Sequence, residues 1–91
     1  MRKKQRIEKL EGIISSIGDA KCEEIELTHQ IESMSERIAQ LTASRQKGDS
    51  LIKVMDKRRH TRERLTEVRV EIQELQTEKE QLEVNLEHSD E

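Results

Sequence analysis

Residues 10–41 read LEGIISSIGDAKCEEIELTHQIESMSERIAQL, and the apolar residues in this stretch recur at alternating steps of three and four. In heptad notation, with positions a to g, Leu10 stands at a and Ile13 at d. Glu24 is the only polar residue at the a and d positions of the stretch, which form its seam. A disordered chain has no reason to keep such a register, so the pattern predicts a long helix with one apolar seam.

A second apolar seam covers the C-terminal half of the chain. It begins with Leu65 at a and Val68 at d and continues to Leu86. The two seams are out of step by one residue, because the first register, extended through Ile52 and Met55, does not lead to Leu65. A break in the helix between the two seams is therefore predicted.

The best position for this break is the segment QKGDS at residues 46–50. Gly48 suits the left-handed conformation that commonly ends a helix. Asp49 or Ser50 is predicted to cap the next helix, because its side-chain oxygen can accept a bond from a free backbone N–H.

Helix 1 is predicted over about residues 2–46, the turn over 47–50 and helix 2 over about 50–87, in one coiled-coil unit that spans residues 1–91. Gly18 is a weaker candidate for a break. Since the seam passes Gly18 in register, we expect a continuous helix there, with a separate short helix before Gly18 as the alternative.

The predicted fold is all-α: an antiparallel two-helix coiled-coil hairpin that self-associates into a four-helix bundle. Folding back at Gly48 sets Leu10 beside Leu86 and Leu41 beside Met55. The alternative is one continuous helix in a long parallel coiled-coil dimer. That dimer would place Glu24 against its own copy in the core, and like charges there are costly.

The predicted seam contains aliphatic side chains from both helices. Its residues are Leu10, Ile13, Ile17, Leu27, Ile31, Met34, Ile38, Leu41, Met55, Leu65, Val68, Ile72, Leu75, Leu82 and Leu86. Ile7 and Ile14 flank this seam at e positions, and Ile25 at b and Val70 and Val84 at f lie away from it. Apolar residues beyond one seam suit helices with more than one neighbour, which favours self-association.

Composition argues against a compact globular enzyme. Hydrophobic residues make up 31% of the 91 residues, charged residues 41%, and Phe, Trp, Tyr and Pro are absent. Without aromatic side chains a small chain lacks the large buried areas of a globular core. There is no Gly-rich phosphate loop and no nucleophile–base pair, so we expect no enzyme activity, no cofactor and no small-molecule substrate.

Cys22 is the single cysteine, which favours a reduced thiol in an intracellular, cytoplasmic protein, with the nucleus as another compartment left open. Cys22 and His29 both occupy outward f positions, but a zinc site needs about four converging ligands, so no metal site is expected. The apolar runs are far shorter than the roughly 20 residues that span a bilayer, so we expect no membrane partner.

A basic cluster surrounds the predicted turn. It comprises Arg45, Lys47, Lys53, Lys57, Arg58, Arg59, Arg62 and Arg64. With three acidic residues between them, these eight give residues 45–64 a net charge of +5, whereas eight acidic residues and one lysine give residues 71–91 a net charge of −7. The cluster is interpreted as a solvated face, a site for an acidic protein or a nucleic-acid contact.

A basic stretch that runs into heptads resembles a basic leucine zipper, but residues 55–65 lack the asparagine and paired small residues that such regions use on bases. The predicted function is therefore a structural or adaptor coiled-coil protein that mediates protein–protein assembly, with itself or another protein. The alternatives are a nucleic-acid-associated coiled coil that uses the basic cluster, or a small helical export chaperone or stalk protein. The seam runs nearly to both ends, which leaves open a longer parent protein.

Overall fold

The structure, a computed structural model, describes residues 3–44 and 48–87. It contains two α-helices, α1 from Lys3 to Ala43 and α2 from Asp49 to Glu87. The helices pack against each other along their length, in a hairpin that measures 68 × 14 × 14 Å. The predicted helical hairpin is confirmed, and the continuous helix of the alternative is not what the chain forms.

Gly48 has the positive φ angle that the sequence predicts, but it lies directly before α2 and not at the end of α1, which ends at Ala43. The φ angle of Gly48 is +139°, a value that residues with a side chain rarely adopt. The end of α1 is closed by Ser44, whose amide and hydroxyl both donate to the carbonyl of Gln40, at 3.0 and 2.9 Å. The predicted last turn of helix 1, residues 45–46, lies outside the described residues.

The start of α2 differs from the prediction. Asp49 and Ser50 were expected as caps, but both lie inside the first turn of the helix. The carbonyl of Gly48 accepts the first helical hydrogen bond, from the amide of Ile52 at 3.1 Å, so Gly48 itself occupies the cap position. Asp49 instead places its carboxylate beside the positive end of the helix dipole.

Helix α1 runs without interruption through Gly18, as the unbroken register predicts. Ile17 and Ala20, the seam residues on either side of Gly18, are both buried. Burial of this face holds the glycine in the helix, since packing outweighs the roughly 1 kcal/mol by which glycine weakens a helix interior.

The core consists of two groups of aliphatic side chains along one line between the helices. The central group contains Ala20, Leu27, Leu65, Val68 and Ile72, with Ile31 packed against it. The group toward the chain ends contains Ile13, Ile17 and Leu82, with Leu10 and Leu75 packed against it. Since both groups draw on both helices, the two seams face each other as predicted, but Leu10 packs in the group of Leu82, about one turn from its predicted partner Leu86.

The prediction of Met55 in the seam is wrong, because 46% of this side chain is exposed. Leu51 and Val54 are half-buried in its place. Counted back from Leu65 by heptads, Leu51 stands at a and Val54 at d, so α2 keeps one register as far as its first turn. The phase change therefore falls in the loop and not within α2.

Polar residues interrupt the seam and make specific contacts there. Arg58, at an a position, is half-buried and donates to the hydroxyl of Ser35 at 3.2 Å. Glu24, at an a position of α1, accepts from Arg69 Nε at 3.2 Å. Each charged group thus has a polar partner at the edge of the interface, which lowers the cost of placing it there.

Val68→Ala tests the packing, with Val70→Ala as a matched control two residues along the same helix. Val68 has no exposed surface, whereas Val70 is 52% exposed. Removing two methyl groups from Val68 is expected to lower the free energy of unfolding by about 2 kcal/mol, while Val70→Ala changes it by less than about 0.5 kcal/mol. Urea denaturation followed by circular dichroism at one protein concentration measures both; equal effects would contradict this register.

Candidate interaction surface

The hairpin leaves five large aliphatic side chains exposed along one flank, here called the aliphatic face. Its residues are Ile7, Ile14, Ile25, Ile52 and Met55, whose exposed fractions lie between 39% and 60%. Single exposed aliphatic residues are ordinary on protein surfaces, whereas aliphatic residues that recur along one face suit a helix with a second neighbour. Whether these five side chains lie on a common face therefore decides whether they can pack against such a neighbour.

Two shallow depressions show which parts of the helices share this face. The first is lined by Thr28, Ile31, Glu32, Arg62, Thr66 and Arg69, among others. The second brings Ile25 together with Arg69, across the helix boundary. Ile7 and Ile14 precede Thr28 by whole heptads, so they project from the same side of α1.

The same spacing places the two aliphatic residues of α2. Met55 precedes Arg62 by one heptad, and Arg62 lines the first depression. Ile52 stands one turn before Met55, and side chains three apart are neighbours on a helix surface. All five residues of the aliphatic face therefore lie on one flank of the hairpin, with Ile7 and Ile14 near the chain ends and Ile52 and Met55 near the turn.

The opposite flank, the ionic face, carries ion pairs that join the helices. Lys9 Nζ lies 3.6 Å from Glu78 Oε1, and Arg64 Nη2 lies 2.8 Å from Glu23 Oε1. None of the exposed large aliphatic residues of the described part of the chain lies on this side. The two flanks thus differ in chemistry, although the seam between them is shared.

Arg64 makes the most extensive of these contacts. Its Nη2 donates to both carboxylate oxygens of Glu23, at 2.8 and 2.9 Å, and its Nε donates to Oε2 at 3.2 Å. Hydrogen bonds and charge attraction from Glu23 raise the pKa of the Arg64 guanidinium, with a smaller contribution from Glu67. A planar guanidinium on one carboxylate fixes orientation as well as distance, so this pair helps to set the helix register.

The predicted basic cluster is divided by the fold. Arg45 and Lys47 lie outside the described residues. Arg58 and Arg64 are bound to Ser35 and Glu23 of the other helix. These internal contacts remove two of the eight predicted cations from a uniform surface patch.

The remaining cations of the cluster point to different flanks. Lys53 and Lys57 line a depression on the ionic face, beside Arg64. Arg62 lines a depression on the aliphatic face, and Arg59, one heptad before Thr66, projects from the same side. Arg59 also pairs with Asp56 at 3.2 Å. Sequence order grouped these residues, but helical geometry separates them.

The thiol of Cys22 and the ring of His29 are both exposed, as their f positions predict. Within residues 3–44 and 48–87, no three His, Cys, Asp or Glu side chains converge on a point that could hold a metal ion. Over the same residues, neither helix has an apolar stretch that could cross a bilayer.

Comparisons with models of known protein families, with curated proteins and with solved structures gave no match to this chain. The surface of the hairpin is therefore the starting point for a proposal about function. The aliphatic face is the feature of that surface that the sequence predicted only in part, as Ile7 and Ile14 beside the seam and Ile25 outside it. Met55 also belongs to this face, but the heptad pattern had assigned it to the seam.

Exchange of the Glu23–Arg64 charges tests the role of this pair in setting the register. Arg64→Glu places two carboxylates together, so we expect a lower melting temperature in low salt and a smaller loss in high salt, where charges are screened. The double variant Glu23→Arg with Arg64→Glu rebuilds the pair in reverse and should recover most of the loss. A double variant no more stable than Arg64→Glu alone would show that the two side chains do not interact.

Proposed function

We propose that this chain is a structural or adaptor coiled-coil protein, whose function is to hold protein chains together through the surface of its hairpin. The aliphatic face carries the proposal, since it leaves five large aliphatic side chains in water on one flank. Their burial against another helical surface would release ordered water and favour association.

The small core of the hairpin supports this proposal. Of the side chains in the two core groups, Val68 alone has an exposure of zero, and the others keep several per cent of their surface in water. Two helices share one interface, whereas helices in a four-helix bundle have neighbours on two sides. A second helical layer over the aliphatic face would complete the burial that the first interface begins.

The distribution of charge favours a protein partner over nucleic acid. A nucleic-acid contact needs cations in a continuous stripe that can follow phosphates. Here Lys53 and Lys57 lie on one flank and Arg62 on the other, while Arg64 is held by Glu23. Such a division suits separate contacts with protein surfaces better than a track along a backbone.

The proposed role is binding and not catalysis, because the depressions of the described surface are open and lined by residues of the helix faces. A helical hairpin without aromatic residues offers no enclosed site where water is excluded from a reaction. A single exposed cysteine suits a reducing compartment, so we place this assembly in the cytoplasm.

Dilution tests the proposal. If association contributes to stability, the melting temperature should fall measurably when the protein is diluted a hundredfold, because mass action favours dissociated chains. Circular dichroism measures the melting, and light scattering measures the molar mass across the same range. A single-chain mass with a constant melting temperature would contradict self-association.

Ile31→Asp is the companion variant, with Gln30→Asp as its control. Ile31 packs against the central core group, whereas Gln30 is exposed one residue earlier. A carboxylate at residue 31 loses hydration beside the central core group, so Ile31→Asp should lower the helicity at every concentration. Gln30→Asp should retain both the helicity and its dependence on concentration.

A further inference from the structure

We infer that the occupant of the aliphatic face is a second copy of this chain, turned end for end about a twofold axis close to Ile25. This inference rests on the proposed function and specifies its geometry. Two observations carry it: the positions of the five aliphatic residues along the hairpin, and the distribution of charge around them.

The aliphatic residues are spaced almost symmetrically about Ile25. The bond between Ser35 and Arg58 sets the level of the two helices, so Met55, one turn nearer the loop, lies level with about Ile38. At 1.5 Å per residue, Met55 is about 20 Å from Ile25 toward the turn, and Ile14 is about 17 Å from it toward the chain ends.

Ile52 and Ile7, the outermost residues of the aliphatic face, also lie at similar distances from Ile25. By the same alignment Ile52 lies level with about Leu41, about 24 Å from Ile25, and Ile7 lies about 27 Å away in the other direction. A twofold axis through Ile25 therefore brings Ile25 against its own copy, Ile14 near Met55 of the second copy and Ile7 near its Ile52. A parallel arrangement would also set each of the five residues level with its own copy, so the aliphatic residues permit both directions and the charges decide between them.

Charges on the aliphatic face select the same orientation. Toward the turn the exposed charged residues of this face are Arg59, Arg62 and Glu32. Toward the chain ends they are Lys4, Glu11, Lys21, Glu80, Glu83 and Glu87, whereas Arg69, paired with Glu24, lies about level with Ile25. Each of these residues is separated by a multiple of seven positions from Ile25 or from a residue that lines one of the two depressions. This spacing places it on the same flank.

The turn half of this face thus carries a net positive charge and the other half a net negative charge. End-for-end pairing sets each half against its opposite, whereas parallel pairing sets like against like. Complementary potentials of this kind orient partners more than they add affinity. The aliphatic residues thus supply the attraction, and the charges choose the direction.

Such a dimer is self-complementary, as a twofold interface requires, because each copy contributes the same surface. It also has a defined limit. The ionic face of each hairpin points away from the partner and stays hydrated, so the pairing closes at two copies and four helices. Closure prevents the aliphatic face from adding further chains.

Disulfide crosslinking tests this geometry in the full chain. Cys22→Ser first removes the native thiol, which is exposed. In that background Ile25→Cys should form a covalent dimer under mild oxidation, because the axis places the two thiols together. Glu26→Cys, one residue on and turned toward the ionic face, should remain uncrosslinked. Ile25 is exposed in the single hairpin, so the substitution leaves the fold intact.

The direction of pairing is read from Ile14→Cys and Met55→Cys. Alone, Ile14→Cys should give no dimer, since its copies lie far apart along the axis. An equimolar mixture of the two variants should give the mixed disulfide, which mass spectrometry distinguishes from either homodimer. A dimer from Ile14→Cys alone would establish the parallel arrangement and overturn the inference.

Ile25→Glu measures the contribution of this contact to affinity. Two carboxylates meeting at the axis should weaken dimerisation at least tenfold in sedimentation equilibrium, whereas Val70→Glu, on neither the seam nor the aliphatic face, should leave it unchanged. Unchanged dimerisation by Ile25→Glu would overturn the inference but leave the proposed assembly function standing. A wild-type chain that stays monomeric would overturn both the inference and the self-association that the proposed function includes.

Discussion

The packing of one aliphatic column on another, centred on Val68, is the interaction on which the rest of this structure depends. Val68 reaches complete burial between Leu27, Leu65 and their neighbours, while every residue around it keeps some contact with water. A hairpin of two helices offers no second interface, and this chain has no aromatic residue to enlarge the one it has. The narrow core therefore sets both the stability of the hairpin and the amount of apolar surface left outside it.

Electrostatics complements this packing by fixing position. A column of similar aliphatic residues could slide by a heptad with little change in buried area. The Glu23–Arg64 and Lys9–Glu78 pairs join the helices at two separate levels, and the Arg58–Ser35 bond adds a third. All three would be broken by a slip, so polar contacts specify the register that the aliphatic residues stabilise.

Much of this structure follows from the sequence, because seam residues obey a periodicity that local physics imposes. The hairpin and the positive φ angle of Gly48 were predicted from it. Met55 was wrongly assigned to the seam because the heptad register of helix 1 was extended across the turn. The register can change in a turn, since the chain there is not helical. The division of the basic cluster was missed for a related reason: residues close in sequence point around the helix, and only the three-dimensional arrangement shows which flank each one reaches.

The central claim is that the hairpin is a unit of assembly which pairs along its length. Molar mass and maximum particle dimension, measured together by light scattering and small-angle X-ray scattering, test it most directly. Twice the 10.7 kDa of one chain, within a particle hardly longer than the 68 Å of one hairpin, is the predicted result. A particle of single-chain mass, or a dimer of nearly twice that length, would contradict the account.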